Sequence, residues 1–392
     1  MINLREVVIV GAARTAIGKY GGSFLHTSAV TLGATVIREA LTRARIKAED
    51  VDYVIMGNVL QAGLGQNAAR QASVEAGIGY ETPAMTINEM CGSGMKSIHL
   101  GMQSIQLGES DICVVGGFEN LSQAPHLIKN ARFGVKSGNV ETLDSMTHDG
   151  FMDAFTNELM GVTADRVAEQ FNISREDQDA FALESQRRAS KAQQEGIFDD
   201  EIVGVDAGKL GIVDKDEFIR HNSSMEALQK LKPSFTKNGT VTAGNASGVN
   251  DGAAALVIMS REKAEEMNLE ILGTITGFAE IGMDPGIMGY APYLAVSKLV
   301  DKTGIDIQSV DRFELNEAFA SQSLAVIRDL KINPEIVNVN GGAISIGHPI
   351  GASGARIMVT LLYEMKHSDS KRGIASLCIG GGMGVAMLVD RK

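Results

Sequence analysis

The sequence contains no tryptophan, only 5% aromatic residues and only three cysteines, Cys91, Cys113 and Cys378. The missing tryptophan decides little by itself. An odd cysteine count without a CxxC pair excludes a disulfide framework and indicates a reducing compartment. Neither paired CxxC nor HExxH is present, so the sequence predicts no metal site.

Basic residues are in deficit, with 36 Lys and Arg against 48 Asp and Glu and a net charge of −12. Such a chain has no general positive field for nucleic acid or an anionic membrane surface, so an anionic ligand needs a local patch. No apolar run approaches 18 residues, and residues 1–6 lack the basic-then-apolar pattern of a signal peptide. We therefore expect a cytoplasmic protein that binds neither nucleic acid nor membrane.

A chain of 392 residues with 44% hydrophobic side chains is expected to form two or three domains. Its 44 glycines indicate many tight turns between strands and helices. Short β-branched runs alternate with helical patterns, which is typical of an α/β fold. The predicted strands are 7–15, 51–58, 111–117 and 251–259, and the predicted helices are 31–45, 67–76 and a segment ending near 106. The more polar residues 119–248 look like an insertion, in which Ser174 begins a helix that continues to 194.

The last third of the chain repeats the first in outline. Residues 51–58 match 310–317, residues 88–94 match 340–343 with the helix downstream, and residues 113–117 match 377–381. Two such βαβ-rich halves are expected to pack as a pseudo-twofold pair, with ligands bound at the carboxyl ends of their strands.

Cys91 follows an apolar run and precedes a helical pattern that contains Gly92 and Gly94. A helix N-terminus favours the thiolate, which is the nucleophilic form of cysteine. The two glycines remove side chains that would crowd the sulfur. The alternative is a buried structural cysteine, because free Cys is among the most buried residue types.

Three later loops also end predicted strands: 316–319 (NEAF), 347–349 (GHP) and 378–384 (CIGGGMG). Taken singly, Asn316 can be a turn former, His348 a hydrogen-bonded loop histidine and Cys378 a core residue. If the duplication is real, the loops converge with Cys91 between the two halves. Together they would supply two thiols, an imidazole, an amide and glycine N–H groups.

These loops, with residues 88–94 (NEMCGSG) and 244–248 (GNASG), resemble the signatures of the thiolases, and are most similar to the biosynthetic acetyl-CoA C-acetyltransferases. The resemblance implies a layered αβαβα fold built from two duplicated halves and a loop domain. The implied halves are residues 1–120 with 249–270, and residues 271–392. Residues 121–248 would form the loop domain for CoA binding and oligomer contacts. The family implies a homodimer or homotetramer and no metal or prosthetic group.

The resemblance also implies the chemistry, a ping-pong condensation of two acetyl-CoA to acetoacetyl-CoA and CoA. Cys91 would be the nucleophile and Cys378 the base. His348 and a water held by Asn316 would form one oxyanion hole, and the backbone N–H groups of Cys91 and Gly380 the other. Coenzyme A contacts carried over from the family fall on Arg220, Phe235, Ser247, Met288, Ala318 and Phe319.

Two positions depart from the family pattern. Leu159 stands where biosynthetic thiolases usually have histidine, and Tyr290 stands where the family tends to have a smaller residue. We expect both to alter the pantetheine or acyl channel. The alternative functions are a degradative 3-ketoacyl-CoA thiolase, a β-ketoacyl synthase, which normally pairs its cysteine with two histidines, and a non-catalytic acyl-CoA binding protein.

Overall fold

The computed structural model describes residues 4–392; residues 1–3, part of the segment inspected for a signal pattern, lie outside it. The first group of strands comprises β1 (Val7–Thr15), β2 (Gly18–Lys19), β3 (Tyr53–Gly57), β4 (Ala84–Ile87) and β5 (Ile112–Asn120). The later strands are β6 (His126–Leu127), β7 (Leu143–Asp144), β8 (Ile202–Val203), β9 (Val205–Asp206), β10 (Ile212–Val213), β11 (Asn250–Ser260), β12 (Gly273–Gly282), β13 (Arg312–Leu315), β14 (Arg372–Ile379) and β15 (Met383–Asp390). The helices are α1 (Ala29–Ala44), α2 (Ala68–Glu75), α3 (Ser93–Gln106), α4 (Met160–Gln170), α5 (Arg175–Gln194), α6 (Met225–Gln229), α7 (Arg261–Glu266), α8 (Ala291–Thr303), α9 (Ala320–Leu330) and α10 (Ser353–His367).

The main strands follow the order β13-β14-β15-β12-β1-β11-β5-β3-β4. The halves meet where β1 and β12 pair antiparallel over residues 7–9 and 273–275. Outward from that join, each half has the same sequence of pairings: two antiparallel pairs, then a parallel pair. The pseudo-twofold arrangement predicted from the repeat is confirmed.

Alternate side chains of the buried strands enter different cores. Val8 and Val10 of β1 pack with α1, whereas Val7 and Ile9 pack with the central helices α3 and α10. Helices α8 and α9 cover the outer face of the second half. The result is five layers in the order helix, sheet, helix, sheet, helix, because a strand buried on both faces needs a helical layer on each side.

One pair of aspartates shows the duplication at atomic detail. Asp52 Oδ2 accepts the backbone N–H groups of residues 111 and 112 at 2.8 and 2.9 Å. Asp311 Oδ2 accepts those of residues 371 and 372 at the same two distances. Each carboxylate therefore fixes the start of the neighbouring parallel strand.

The strand register corrects one of the sequence matches. Tyr53 pairs with Cys113, and its equivalent, Arg312, pairs with Gly373. Cys113 therefore corresponds to Gly373 rather than to Leu377, and the sequence match was displaced by four residues. Both segments contain a cysteine followed by two adjacent glycines, which caused the mismatch. The glycine pair lies inside β5 at residues 116–117, but it follows the end of β14 at residues 380–381.

The segment between β5 and β11 is attached to the first half by a buried ion cluster. Arg14, fully buried, donates to Glu201 at 2.6 Å and to both oxygens of Asp216 at 2.8 and 2.9 Å. Within this segment the predicted helix is confirmed: α5 ends at Gln194, and Ser174 caps its N-terminus by accepting the backbone N–H of Asp177. No helix in residues 4–392 is long and apolar enough to cross a membrane.

Candidate active site

Cys91 lies two residues before α3, in a loop with an unusual backbone. Met90 has φ +48°, a left-handed conformation that non-glycine residues rarely adopt. Ser93 holds this turn: its Oγ accepts the N–H of Glu89 at 2.8 Å and donates to the Met90 carbonyl at 2.7 Å. Local strain of this kind is retained where it sets the direction of a functional group.

The two glycines beside Cys91 have a packing role. A Cβ on Gly92 would collide with the side chain of Ile379, and a Cβ on Gly94 would lie 2.6 Å from the backbone nitrogen of Ala355 in α10. The structure therefore adds a packing role to the one expected for these glycines beside the sulfur. They let the cysteine loop and α3 approach elements of the second half.

Burial decides the resting state of Cys91. It raises the pKa of the thiol to about 11, although the N–H groups of Gly380 and of Cys91 itself act in the opposite direction. Desolvation of the charge outweighs the N–H groups at the helix N-terminus that favour the thiolate, so Cys91 rests as a thiol. The Gly380 N–H nevertheless contacts the sulfur, as expected for a donor near the reacting centre.

His348 faces the same cavity and is 7% exposed. Burial, together with the charge of Arg356, lowers its pKa to about 3, so the ring is neutral at physiological pH. Its Nδ1 lies 2.5 Å from Ser353 Oγ, and that hydroxyl donates its one proton to the Pro349 carbonyl at 2.8 Å. Nδ1 is therefore assigned as the N–H donor and Nε2 as the unprotonated nitrogen.

Cys378 is the next-to-last residue of β14 and is 1% exposed. Burial, then repulsion from Cys91, raises its pKa well above the usual range, so the two thiols are close enough to interact. Asn316 follows β13 and donates its backbone N–H to the Ser376 carbonyl of β14 at 3.0 Å. Both polar atoms of the buried Asn316 side chain lack a hydrogen-bond partner among residues 4–392. A buried amide with free polar atoms can hold a water.

Most of the predicted residues line one cavity of about 330 Å³, whereas Asn316, Gly380 and Arg220 are not part of its lining. Its walls are mostly apolar, and their hydrogen-bonding or nucleophilic side chains are few. The lining includes Cys91, His348, Cys378, Phe235, Ser247, Met288, Ala318 and Phe319, as well as Met146, Phe151, Leu159 and Met160. A larger cleft of about 450 Å³ between α5 and α9 is lined by neither thiol nor imidazole.

Two of the predicted loops are joined directly beside this cavity. Ser247 donates its backbone N–H to the Ala318 carbonyl at 2.9 Å, and Ala246 and Phe319 form an isolated bridge. Phe235 meets Phe319 edge-to-face with ring centroids 6.1 Å apart. These contacts create an apolar channel wall from three distant parts of the sequence.

Arg220 and Tyr290 do not line the cavity. Arg220 is exposed, and its guanidinium lies 5.2 Å from the Phe218 ring centroid. Tyr290 stacks on Phe171 and Tyr293 and donates its hydroxyl to Asp329 at 2.8 Å. Tyr290 therefore does not contact this cavity, whereas Leu159 lies in the cavity wall.

Glu119 was missed in the sequence, although it ends a buried strand as the other site residues do. Its carboxylate accepts N–H groups from Val59, Leu60, Gly351 and the Asn58 side chain at 2.9–3.1 Å. Gly351 lies three residues after His348, so Glu119 connects the first half to the histidine loop. The sequence did contain a signal for this residue, because Glu119 directly follows Gly-Gly-Phe at the end of a predicted strand.

Family models described as the N-terminal and C-terminal domains of thiolase match residues 7–262 and 269–391. Together these matches cover almost the whole chain. The protein belongs to the thiolase family. This thiolase is accordingly an acyltransferase enzyme, and the family resemblance read from its five motifs is confirmed.

Individual thiolases similar to this one are both bacterial and human. A probable acetyl-CoA acyltransferase of Staphylococcus aureus (strain COL) is 51% identical over 392 residues, covering 99% of this chain and 100% of the relative. The crystal structure of the Bacillus anthracis acetyl-CoA acetyltransferase superposes with a TM-score of 0.97 and 41% identity, covering 100% of both chains. The human mitochondrial 3-ketoacyl-CoA thiolase in complex with CoA has a TM-score of 0.96 and 42% identity, covering 99% of this chain and 98% of that one.

Proposed function

We propose that this thiolase is an acetyl-CoA C-acetyltransferase, which condenses two acetyl-CoA reversibly to acetoacetyl-CoA and CoA. The observation that carries the proposal is the convergence of two thiols and one neutral imidazole on a single apolar cavity. Similar proteins named acetyl-CoA acyltransferase or acetyltransferase support the choice of substrate.

In the first half-reaction Cys91 is the proposed nucleophile. Its sulfur attacks the thioester carbonyl while its proton passes to Nε2 of His348. Because the Cys91 thiol and the His348 ring both rest neutral, the proton moves only when the thioester is in place. The N–H groups of Cys91 and Gly380 stabilise the oxyanion, and the departing CoA sulfur takes the proton of Cys378.

In the second half-reaction the Cys378 thiolate removes an α-proton from a second acetyl-CoA. The enolate oxygen receives hydrogen bonds from Nε2–H of His348 and from a water held by Asn316, whose free amide atoms suit that role. The enolate carbon attacks the acetyl group on Cys91. The released Cys91 sulfur recovers its proton from His348, and acetoacetyl-CoA leaves with Cys378 as a thiol.

We propose that coenzyme A binds along Phe235, Ser247, Met288, Ala318 and Phe319, with its thioester at the thiols and its charged end near Arg220.

We further propose the domain division 1–120 with 249–270, 121–248 and 271–392, and a homodimeric or homotetrameric assembly in the cytoplasm. The cavity lining supports the proposed path past Phe235, Ser247, Met288, Ala318 and Phe319, and the other proposals follow from the family resemblance.

One observation favours a second candidate, a degradative thiolase that cleaves longer 3-ketoacyl-CoA. Leu159, Met146, Phe151 and Met160 make one side of the cavity apolar, where a biosynthetic enzyme is expected to have a histidine at position 159. A hydrophobic wall accepts additional methylene groups favourably. By contrast, a β-ketoacyl synthase needs a second histidine, and His348 is the only one in the described cavity lining.

Thiolytic cleavage of 3-ketoacyl-CoA substrates from four to sixteen carbons separates the candidates. We expect the highest kcat/KM for acetoacetyl-CoA, together with formation of acetoacetyl-CoA from acetyl-CoA alone. A maximum at eight carbons or longer would favour the degradative function. Leu159→His serves as the matched control, since it should lower the activity with long chains more than that with acetoacetyl-CoA.

A further inference from the structure

Gln322, in the first turn of α9, contacts the thiol of Cys378. The Cys378 Sγ–H donates to Gln322 Oε1 at 3.8 Å, within the range of a sulfur hydrogen bond, and the glutamine is 1% exposed. The preceding residue, Ser321, points elsewhere and donates to the Ala164 carbonyl at 3.0 Å. Gln322 is therefore the side chain of α9 that reaches the proposed base.

The other end of the same amide is unused. Gln322 Nε2 is buried and has no hydrogen-bond partner in the described chain, residues 4–392. A buried N–H without a partner is destabilising and needs an explanation. Nε2 belongs to the same planar amide as the oxygen that faces Cys378, so a rotation of the amide would bring this N–H to the sulfur.

The glutamine is held close by its neighbours. A Cβ on Gly289 would lie 2.7 Å from Gln322 Cβ, so the absence of a side chain at 289 lets α9 pack at this distance. Without moving its Cβ, the amide can rotate about the Cγ–Cδ bond. Such a rotation exchanges Oε1 and Nε2 at the sulfur without moving the helix.

Cys378 needs two different partners during the proposed reaction. As a thiol it is a hydrogen-bond donor, and as a thiolate it is an acceptor. Its resting form is the thiol, because burial and Cys91 both disfavour the charged sulfur. Among the titratable groups that face this cavity, Cys91 and His348 already have roles in the acyl transfer step.

We propose that Gln322 is a positioning residue that serves both forms of Cys378 by turning its amide. Oε1 accepts the proton of the thiol, and after that proton has passed to the departing CoA sulfur, Nε2–H donates to the thiolate. The inference rests on the proposed function, in which Cys378 is the base, and it adds a residue that stabilises the base before it takes the α-proton.

A titration of Cys378 tests the contact without any acyl transfer. In the Cys91→Ala protein the remaining thiols are Cys378 and Cys113, and Cys113 is fully buried in β5. Alkylation of Cys378 by iodoacetamide, followed by peptide mass spectrometry at several pH values, reports its thiolate fraction and therefore any shift of its pKa between variants. Adding Gln322→Met should raise that pKa by at least one unit, which is a tenfold slower reaction at a given pH.

Turnover gives the second readout. With Cys91 intact, Gln322→Met should slow acetylation by acetyl-CoA by less than tenfold, because Cys378 gives up its proton to the departing CoA sulfur in that step. Solvent exchange of the acetyl-CoA α-protons and condensation should fall about 10- to 100-fold, the effect of losing one hydrogen bond to a charged group. Ser321→Ala is the matched control: it removes a buried hydrogen bond from the same turn and should leave the ratio of exchange to acetylation unchanged.

Gln322→Glu is the second variant, because it keeps the shape and one oxygen but removes the amide N–H. It should slow α-proton exchange more than Gln322→Met does, increasingly as its carboxyl group ionises. An unchanged Cys378 pKa in Gln322→Met, equal loss of both half-reactions, or wild-type exchange in Gln322→Glu would each overturn the proposal. The Cys378 titration remains decisive if the wild-type enzyme does not condense acetyl-CoA, so the two proposals can fail separately.

Discussion

Asp52 in the first half and Asp311 in the second anchor equivalent strands with the same hydrogen bonds at the same lengths. At the opposite end of the sheet the halves differ. The first half contributes Cys91 in a strained turn to the cavity, and the second contributes His348 and Cys378, with Asn316 directly after β13. Symmetry is retained where the strands only support one another, and it is lost where one site needs different chemical groups.

The two thiols show this loss of symmetry most clearly. Both are buried, yet Cys91 receives the Gly380 N–H in addition to its own, whereas Cys378 receives only its own and is repelled by Cys91. The second donor makes Cys91 the thiol that is more easily ionised. Identical side chains thereby acquire the separate roles of nucleophile and base.

The largest effects are expected when each of the two cysteines is replaced in turn. Cys91→Ala should lose turnover by roughly 10⁴-fold or more and form no acetyl adduct, as expected for removal of a covalent nucleophile. Cys378→Ser should still become acetylated on Cys91 but lose most α-proton exchange, since a hydroxyl is far less acidic than a thiol. Intact mass and isotope exchange measure the two steps. A stable acetyl adduct and normal turnover in Cys91→Ala would contradict the assignment.

Titration of the wild-type thiols measures the difference between them. With a pKa of about 11, Cys91 is a thiolate in roughly one molecule in several thousand near pH 7.5. Its alkylation by iodoacetamide should therefore rise about tenfold per pH unit from pH 7 to 10, with Cys378 slower at every pH. A plateau for Cys91 below pH 8 would mean that the helix N-terminus outweighs burial.

The next largest effects are expected for Asn316 and His348, the oxyanion-binding residues of the second half. Asn316→Ala should lower condensation by roughly 10²–10³-fold, the usual loss of one oxyanion donor, and leave acetylation of Cys91 nearly unchanged. His348→Ala should impair both steps, because His348 accepts the Cys91 proton and then donates to the enolate. Separate measurement of acetylation and condensation decides this, and loss of acetylation in Asn316→Ala would refute the division of labour.

A smaller effect is expected at Arg220, which belongs to neither set of strands. Its guanidinium is exposed, and its proposed role is to attract the phosphates of CoA outside the cavity. Arg220→Ala should raise the KM for acetyl-CoA about three- to tenfold at unchanged kcat, because an exposed charge contributes little. Steady-state kinetics at two ionic strengths give the check; a lower kcat with the same KM would place Arg220 elsewhere.

The sequence predicts most of the sheet because its buried strands are β-branched runs bounded by glycine, as in β1 and β11. It also identifies Cys91, His348 and Cys378, because each stands in a strand-end motif. The pKa values of these residues could not be predicted from the motifs, because they depend on burial, which arises only when the two halves pack together. Gln322 and Glu119 were missed for a related reason: each acts through a partner more than 50 residues away.

The smallest predicted effect tests the symmetry itself. Asp52→Ala and Asp311→Ala each remove two hydrogen bonds to backbone N–H groups at a partly exposed site, so each should lower the free energy of unfolding by about 1 kcal/mol. Because the anchors are equivalent and distant from the cavity, the two losses should agree, and acetylation and condensation should stay near wild type at 25 °C. Chemical denaturation and the two half-reaction rates supply the comparison. Unequal losses, or a fall in condensation for Asp311→Ala alone, would show that the anchor of the second half also supports the strand that carries Cys378.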